Sequence, residues 1–311
     1  MTSAVDLFQF QTPALRSNWL GRYLDIEKSA DKDLFQALAD ATAAIDKSLL
    51  ALKGSTAEGA AVRRVQLALA HKEIRKEMTS LFGDVGNLIR GYNGKAAVAA
   101  VDAALSHETR TLGKLFKTKA DRANYSASLR QSAQRNIESV VTRVLATQQP
   151  LSQRVYKTRA LANGMVSKAL NNGLARGDSA DLIAVAVHDL ISPNVIGGVS
   201  YAAKRLARTE IGNAFHAQSI ASAQDQPWVH QMRWNLSKQH RDDPGDYCED
   251  YAQIGLFPVE NIPDKPHPNC RCFVTPEVDD DDTFDNQLFM GHFDAYLDEF
   301  ISSGTLDANA S

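Results

Sequence analysis

The sequence predicts a mainly α protein: a multi-helix body, then a small C-terminal α+β module, then an acidic tail. Three observations lead there. Apolar residues recur at helical spacing from about Asp31 to about Gln224. From Lys238 to Pro276 the texture changes to prolines, turn residues and all three cysteines of the chain. Beyond Pro276 the run Asp279–Asp282 begins a short segment dominated by carboxylates.

Within the body, Leu67, Ile74, Met78 and Leu81 make one apolar stripe, Val98, Val101, Leu105, Leu112 and Leu115 a second, and Tyr125, Leu129, Ala133, Ile137, Val140 and Val144 a third. Helix stops are expected at Gly54-Ser55, at Gly91 to Gly94, at Gln149-Pro150 and at Asn171 to Gly173. Asp178, with Asp181 behind it, is placed to cap a helix that runs to about Leu190 and ends at Ser192-Pro193. After Gly197-Gly198 a further helix is expected over Tyr201–Gln224. Trp228, His230, Met232 and Trp234 alternate along Trp228–Leu236, which reads as a strand, and Cys272–Thr275 as a shorter strand that pairs with it. In the tail, Phe289, Phe293, Tyr296 or Leu297, and Phe300 recur at helical spacing, so an amphipathic helix is expected to dock there, on this chain's own body or on a partner. The expected division is 1–149, an N-terminal helical region; 150–276, helices to 226 and the module over 227–276; and 277–311, the acidic tail.

The 311 residues suffice for a sizeable core, and 44% hydrophobic with 23% charged residues is ordinary for a folded globular protein. The N-terminus shows no basic and apolar leader, and Ala96–Leu105 is too short for a bilayer and interrupted by Asp102, so no membrane partner is expected. Charge is segregated. Arg241–Ser311 holds 17 acidic and 3 basic residues, net −14, against net +11 for residues 1–240. Such polarity suits a nucleic acid on the basic part, a self-contact between the two parts, or a merely solvated surface.

Three cysteines gathered between 248 and 272 do not resemble a disulfide framework and fit a reducing cytoplasm at synthesis. With His240 and His267 they offer five ligands for the four positions of a tetrahedral Zn²⁺ site, which makes the module a zinc-binding knuckle. Pro266 and Pro268 stiffen the turn that presents them. The expected set is Cys248, Cys270, Cys272 and one of the two histidines, and spacing does not choose between them. A Cys248 disulfide or three free thiols are the alternatives. The metal would supply stability that so apolar-poor a region lacks.

Catalytic signatures are missing. Asn269 stands two after His267, and Cys270 and Cys272 are separated by one residue, unlike a nucleobase deaminase. No H-E-x-x-H, P-loop or G-x-S-x-G occurs. A nuclease using His240 with Asp242 or Asp243 is the enzymatic alternative; as a plain turn, those acids surround Pro244-Gly245. Arg208 and Glu210 lie on one helix and are read as a structural brace for the knuckle.

Gly177-Asp-Ser with its helix, Ala207-Arg-Thr-Glu-Ile211, the tryptophan strand at Trp234, His240, Cys248, Tyr251 to Phe257 and Pro266-His-Pro-Asn-Cys-Arg-Cys272 follow one another in an order that resembles the Mu F-type head morphogenesis family, the minor head or minor capsid proteins of tailed bacteriophages. The resemblance covers about residues 150–276, and its last motif is the specific one. It implies a non-enzymatic structural component of the virion head, portal-associated, acting in head assembly and DNA packaging or ejection. Its implied partners are the portal protein, the major capsid protein and packaged double-stranded DNA. The competing functional classes are a metal-dependent nuclease or toxin-type effector and a non-specific DNA-binding protein.

Overall fold

The computed structural model describes residues 19–53, 60–145, 149–176, 178–237, 247–278 and 280–298. Its helices are α1 (Trp19–Lys53), α2 (Ala60–His107), α3 (Thr109–Leu115), α4 (Lys119–Val144), α5 (Leu151–Arg176), α6 (Ala180–Ile191), α7 (Gly198–Gln224), α8 (Cys248–Ile254) and α9 (Asp281–Phe289). The strands are β1 (Val229–Asn235), β2 (Leu256–Pro258) and β3 (Phe273–Val278), antiparallel in the order β2-β1-β3. The protein is therefore mainly helical with a small three-stranded sheet and a Cys/His cluster near its C-terminal end.

The chain forms two compact units, each discontinuous in sequence: one from 1–26, 93–148 and 211–311, the other from 27–92 and 149–210. One boundary, between 148 and 149, falls beside the expected division at 149; none falls at 276, and the others lie at 26/27, 92/93 and 210/211. Long helices cause these three boundaries, because α1, α2 and α7 each contribute residues to both units.

The unit containing residues 27–92 and 149–210 is built by helical periodicity alone. On α1, Leu34, Leu38, Ala41, Ile45 and Leu49 are buried; on α2, Ile74, Met78, Leu81, Val85 and Ile89. Both sets step by four, three, four and four residues, which keeps one face inward. Val166 and Leu170 of α5, Val187 and Ile191 of α6, and Val199 and Ala203 of α7 complete this core.

Two expected stops are helix interiors instead. Gly91 and Gly94 lie within α2, and Gly173 lies within α5. A Cβ on Gly173 would sit 2.5 Å from Ile183 Cγ1, and one on Gly94 would sit 3.5 Å from the Gln134 side chain. Gly173 lets α5 and α6 approach, a packing role that a local reading mistakes for a break, whereas a Cβ on Gly94 would make only ordinary van der Waals contact. The stop at Gly54-Ser55 lies outside the described residues, whereas α4 ends and α5 begins on either side of Gln149-Pro150 as expected. The cap of α6 is Ser179, whose side chain accepts from Leu182 N; Asp178 instead takes the Arg176 guanidinium.

In the other unit, β1 keeps Val229, Met232 and Trp234 buried and His230 exposed. The expected strict alternation fails at a register shift between Val229 and Gln231, where one extra residue turns His230 outward. β3 pairs with β1 from Asn235↔Phe273 onward. No helix among the described residues is long and apolar enough to cross a membrane.

Candidate metal centre

The cluster is assembled from a short helix and a tight turn. Cys248 opens α8, which ends at Gly255; this glycine has φ +78°, and its carbonyl accepts from Trp234 N of β1 at 2.8 Å. The other ligands come from His267 to Cys272. Pro268 and Asn269, with φ 61° at Asn269, fill the two central positions of a turn closed by Cys270 N donating to His267 O at 3.3 Å. Proline at the first and asparagine in the left-handed region at the second suit a type II turn, so the sequence Pro-Asn is what points Cys270 back toward His267.

Cys248 Sγ lies 3.5 Å from His267 Nε2 and 3.5 Å from Cys270 Sγ. Cys248, His267 and Cys270 can hold a metal ion, their ligand atoms all lying within 4.8 Å of one another. His267 Nδ1 is 2.9 Å from the Pro268 carbonyl. A carbonyl only accepts, so Nδ1 carries the proton and Nε2 presents its lone pair to the cluster, the arrangement that orients metal-bound imidazoles. Cys272 is buried and interacts electrostatically with both other thiols, but it is not one of the three residues whose ligand atoms gather within 4.8 Å. Thiols donated by Cys248 and Cys272, reinforced by the Lys265 ammonium, hold the Cys270 thiol well below its ordinary pKa despite burial. The Cys248 thiol, donor to Cys270, is correspondingly pushed up. All three cysteines are free of disulfides. His240, the other candidate histidine, lies outside the described residues.

Two residues escaped the sequence reading. His216, on α7, is fully buried with Nε2 3.0 Å from the Pro263 carbonyl and its ring edge-on to Trp234. Burial, with Lys265 nearby, pushes it down to about 4, so the imidazole is neutral. Lys265 Nζ donates to the Cys270 carbonyl at 2.9 Å. Nothing in the local pattern Ala214-Phe-His-Ala217 distinguishes such a histidine from any other on an apolar helix face.

The remaining candidates go elsewhere. Arg208 donates from Nε and Nη2 to the Asp31 carboxylate at 3.1 and 2.7 Å, and Arg154 Nη2 lies 2.5 Å from Glu210 Oε2. These pairs tie α7 to α1 and to α5, so Arg208 and Glu210 brace helices to one another. Burial raises Glu210 to about 7, with Arg154 opposing the shift.

The tail stripe is also redistributed. Phe293 is buried and Tyr296 Oη meets Tyr125 Oη at 3.0 Å, but Phe289 is 90% exposed and Phe300 lies outside the described residues. Phe284 takes the inward place, stacking on Phe293, which meets Trp228 edge-on. The reason is Gly291, φ +74°, which turns the chain after α9 and ends the single helical period that the spacing suggested.

Scanned against protein-family models, curated proteins and solved structures, the chain matches none of them.

Proposed function

We propose that this chain is a structural minor head protein of a tailed bacteriophage, of the Mu F type, whose C-terminal module is held by a zinc ion. The observation that carries the reading is the convergence of Pro266-His-Pro-Asn-Cys-Arg-Cys272 on Cys248, which gives the most specific motif of the resemblance a physical purpose. Zinc bound tetrahedrally by thiolates at about 2.3 Å separates its sulfurs by roughly 3.8 Å. The 3.5 Å between Cys248 and Cys270 lies near that value and far from the ~2.05 Å of a disulfide. Cys248, His267 and Cys270 would be ligands and Cys272 the fourth, a soft sulfur-rich set that favours zinc over hard cations.

In this role the metal is structural. It crosslinks α8 to the turn before β3 and so fixes the surface that the module presents, while the basic helices face packaged DNA and other faces meet the portal or the major capsid protein. The site of action would be the virion head, after synthesis in the host cytoplasm. No turnover is proposed.

The test is made in particles. A phage carrying Cys270→Ser should yield heads depleted of this chain, while the wild-type chain co-purifies with portal-containing heads and brings about one zinc per copy. Wild-type heads devoid of the chain would overturn the head reading, and a metal-free, folded wild-type chain would overturn the zinc reading separately.

A further inference from the structure

Between α4 and the C-terminal end of α7, and within one unit, lies a cavity of about 260 Å³. Leu129, Ala133 and Val140 of α4 form its apolar side, and Arg143 and Asp225 bring one charge of each sign. These two attract one another at long range but form no ion pair, and neither side chain has another charged or hydrogen-bonded partner among the described residues. Two glutamines complete the polar side, Gln218 at 7% and Gln226 at 3% exposure. The Gln218 amide nitrogen donates to Ser222 Oγ at 3.1 Å, and Gln226 lies near Glu108 and Tyr125. The amide oxygen of each is nonetheless buried without a hydrogen-bond partner. An unmet buried acceptor costs stability, and two in one cavity wall call for donors that the chain does not supply.

We propose that this cavity binds a free α-amino acid with a short aliphatic side chain, its carboxylate on Arg143 and its ammonium among Asp225, Gln218 and Gln226. Charge sets the first limit. A lone cation would be repelled by Arg143 and a lone anion by Asp225, whereas a zwitterion gives each a partner. Hydrogen bonding sets the second. An ammonium carries three N–H donors, which suit the Asp225 carboxylate and the two glutamine oxygens, and the arginine fork takes the carboxylate with two parallel bonds. The torsion that carries a terminal carboxamide is broad, so each oxygen turns toward the ligand at little cost. Burial raises the pKa of Asp225 while Arg143 opposes the rise, and an ammonium placed there would favour the ionised carboxylate further. Size sets the third limit. An apolar cavity of ~150 Å³ accommodates benzene, so this one has room for the amino-acid head and an aliphatic chain against Leu129, Ala133 and Val140. A peptide N-terminus lacks the adjacent carboxylate, and a neutral sugar lacks both charges.

L-Leucine is a suitable probe, titrated into the full chain as purified and followed by calorimetry. Leucinamide, which lacks the carboxylate, N-acetylleucine, which lacks the ammonium, and glucose, which lacks both charges, are the controls. Leucine should bind saturably and at least about tenfold more tightly than any of the three. Arg143→Gln should abolish the margin over leucinamide and keep the margin over N-acetylleucine, and Asp225→Asn should do the reverse. Both side chains are exposed to solvent, so both variants should fold, which circular dichroism checks. Should one of them fail to fold, the other decides alone. Ser139→Trp, at an exposed lining position, should weaken leucine binding and so locate it in this cavity. Absence of saturable binding, a control that binds as tightly as leucine, or margins unchanged in the folded variants would overturn the proposal and leave the glutamine oxygens to water.

Discussion

Cys248 and Cys270 stand 22 positions apart, yet their sulfurs meet at 3.5 Å inside a module with few other crosslinks. Replacing Cys270 by serine removes a soft ligand and leaves a hydroxyl that zinc binds poorly, so Cys270→Ser should reduce bound zinc to near zero by elemental analysis. The opposite kind of residue is Glu108, a carboxyl with no exposed surface, lying near Trp228 and Gln226 but making no hydrogen bond of good geometry. Burial raises it to about 8, so it is neutral in the folded protein at physiological pH and ionised in the unfolded chain. A pKa raised on folding contributes stability that is complete below the unfolded value of 4.5 and is lost progressively until pH passes about 8. Glu210 and His216 titrate in the same window, so the Glu108 contribution, at most about 5 kcal/mol, is read as the difference between the pH profiles of wild type and Glu108→Gln in chemical denaturation. Glu108→Gln should flatten the dependence and leave the variant more stable than wild type at pH 8. An unchanged pH profile would show that Glu108 is not the group responsible.

Elements are held by contacts whose loss has a calculable sign. Gly198 opens α7 with φ +61°, and a Cβ there would fall 2.4 Å from the Leu190 carbonyl oxygen. Backbone cannot rotate away as a side chain does, so Gly198→Ala should destabilise by about 1–3 kcal/mol in thermal or denaturant melts. By contrast, Gly91→Ala, in an open position within α2, should be neutral or slightly stabilising. In the tail, Phe293 is 2% exposed between Phe284 and Trp228. Phe293→Ala should cost about 3–5 kcal/mol of local or global stability, and hydrogen exchange over 280–298 should report it first. Phe289→Ala, at a position 90% exposed, should change nothing measurable.

At the scale of the molecule, the core of the 27–92 and 149–210 unit contains none of the cluster's residues. Chelation of the proposed zinc should accordingly abolish near-ultraviolet signals from Trp234 and its neighbour Tyr251 while most far-ultraviolet helical signal persists. Loss of both together would mean that the fold depends on the metal throughout. The basic helices carry the second prediction. If residues 1–240, net +11, face DNA, the full chain should bind duplexes without sequence preference, with affinity dropping steeply, roughly tenfold or more, from about 50 to about 200 mM salt. Salt-independent binding would remove DNA from the proposed partners. No cleavage should accompany binding in the presence of Mg²⁺, Mn²⁺ or Zn²⁺.

Helix class and core faces were legible in sequence because the 3.6-residue period is local: Ile74, Met78 and Leu81 declare their inward face within two turns. The stiffening prolines Pro266 and Pro268 and the crowding of cysteines made the Cys/His cluster legible for the same reason. What the sequence did not decide depends on groups far apart along the chain. Gly173 reads as a stop because its purpose is the approach of another helix. Arg208 meets Asp31 across 177 positions and Tyr125 meets Tyr296 across 171, partners that no local spacing can choose. Local periodicity determines which face of an element is apolar; only the packed tertiary structure determines which distant group covers it, because burial free energy is non-directional until shape and polar satisfaction select one arrangement.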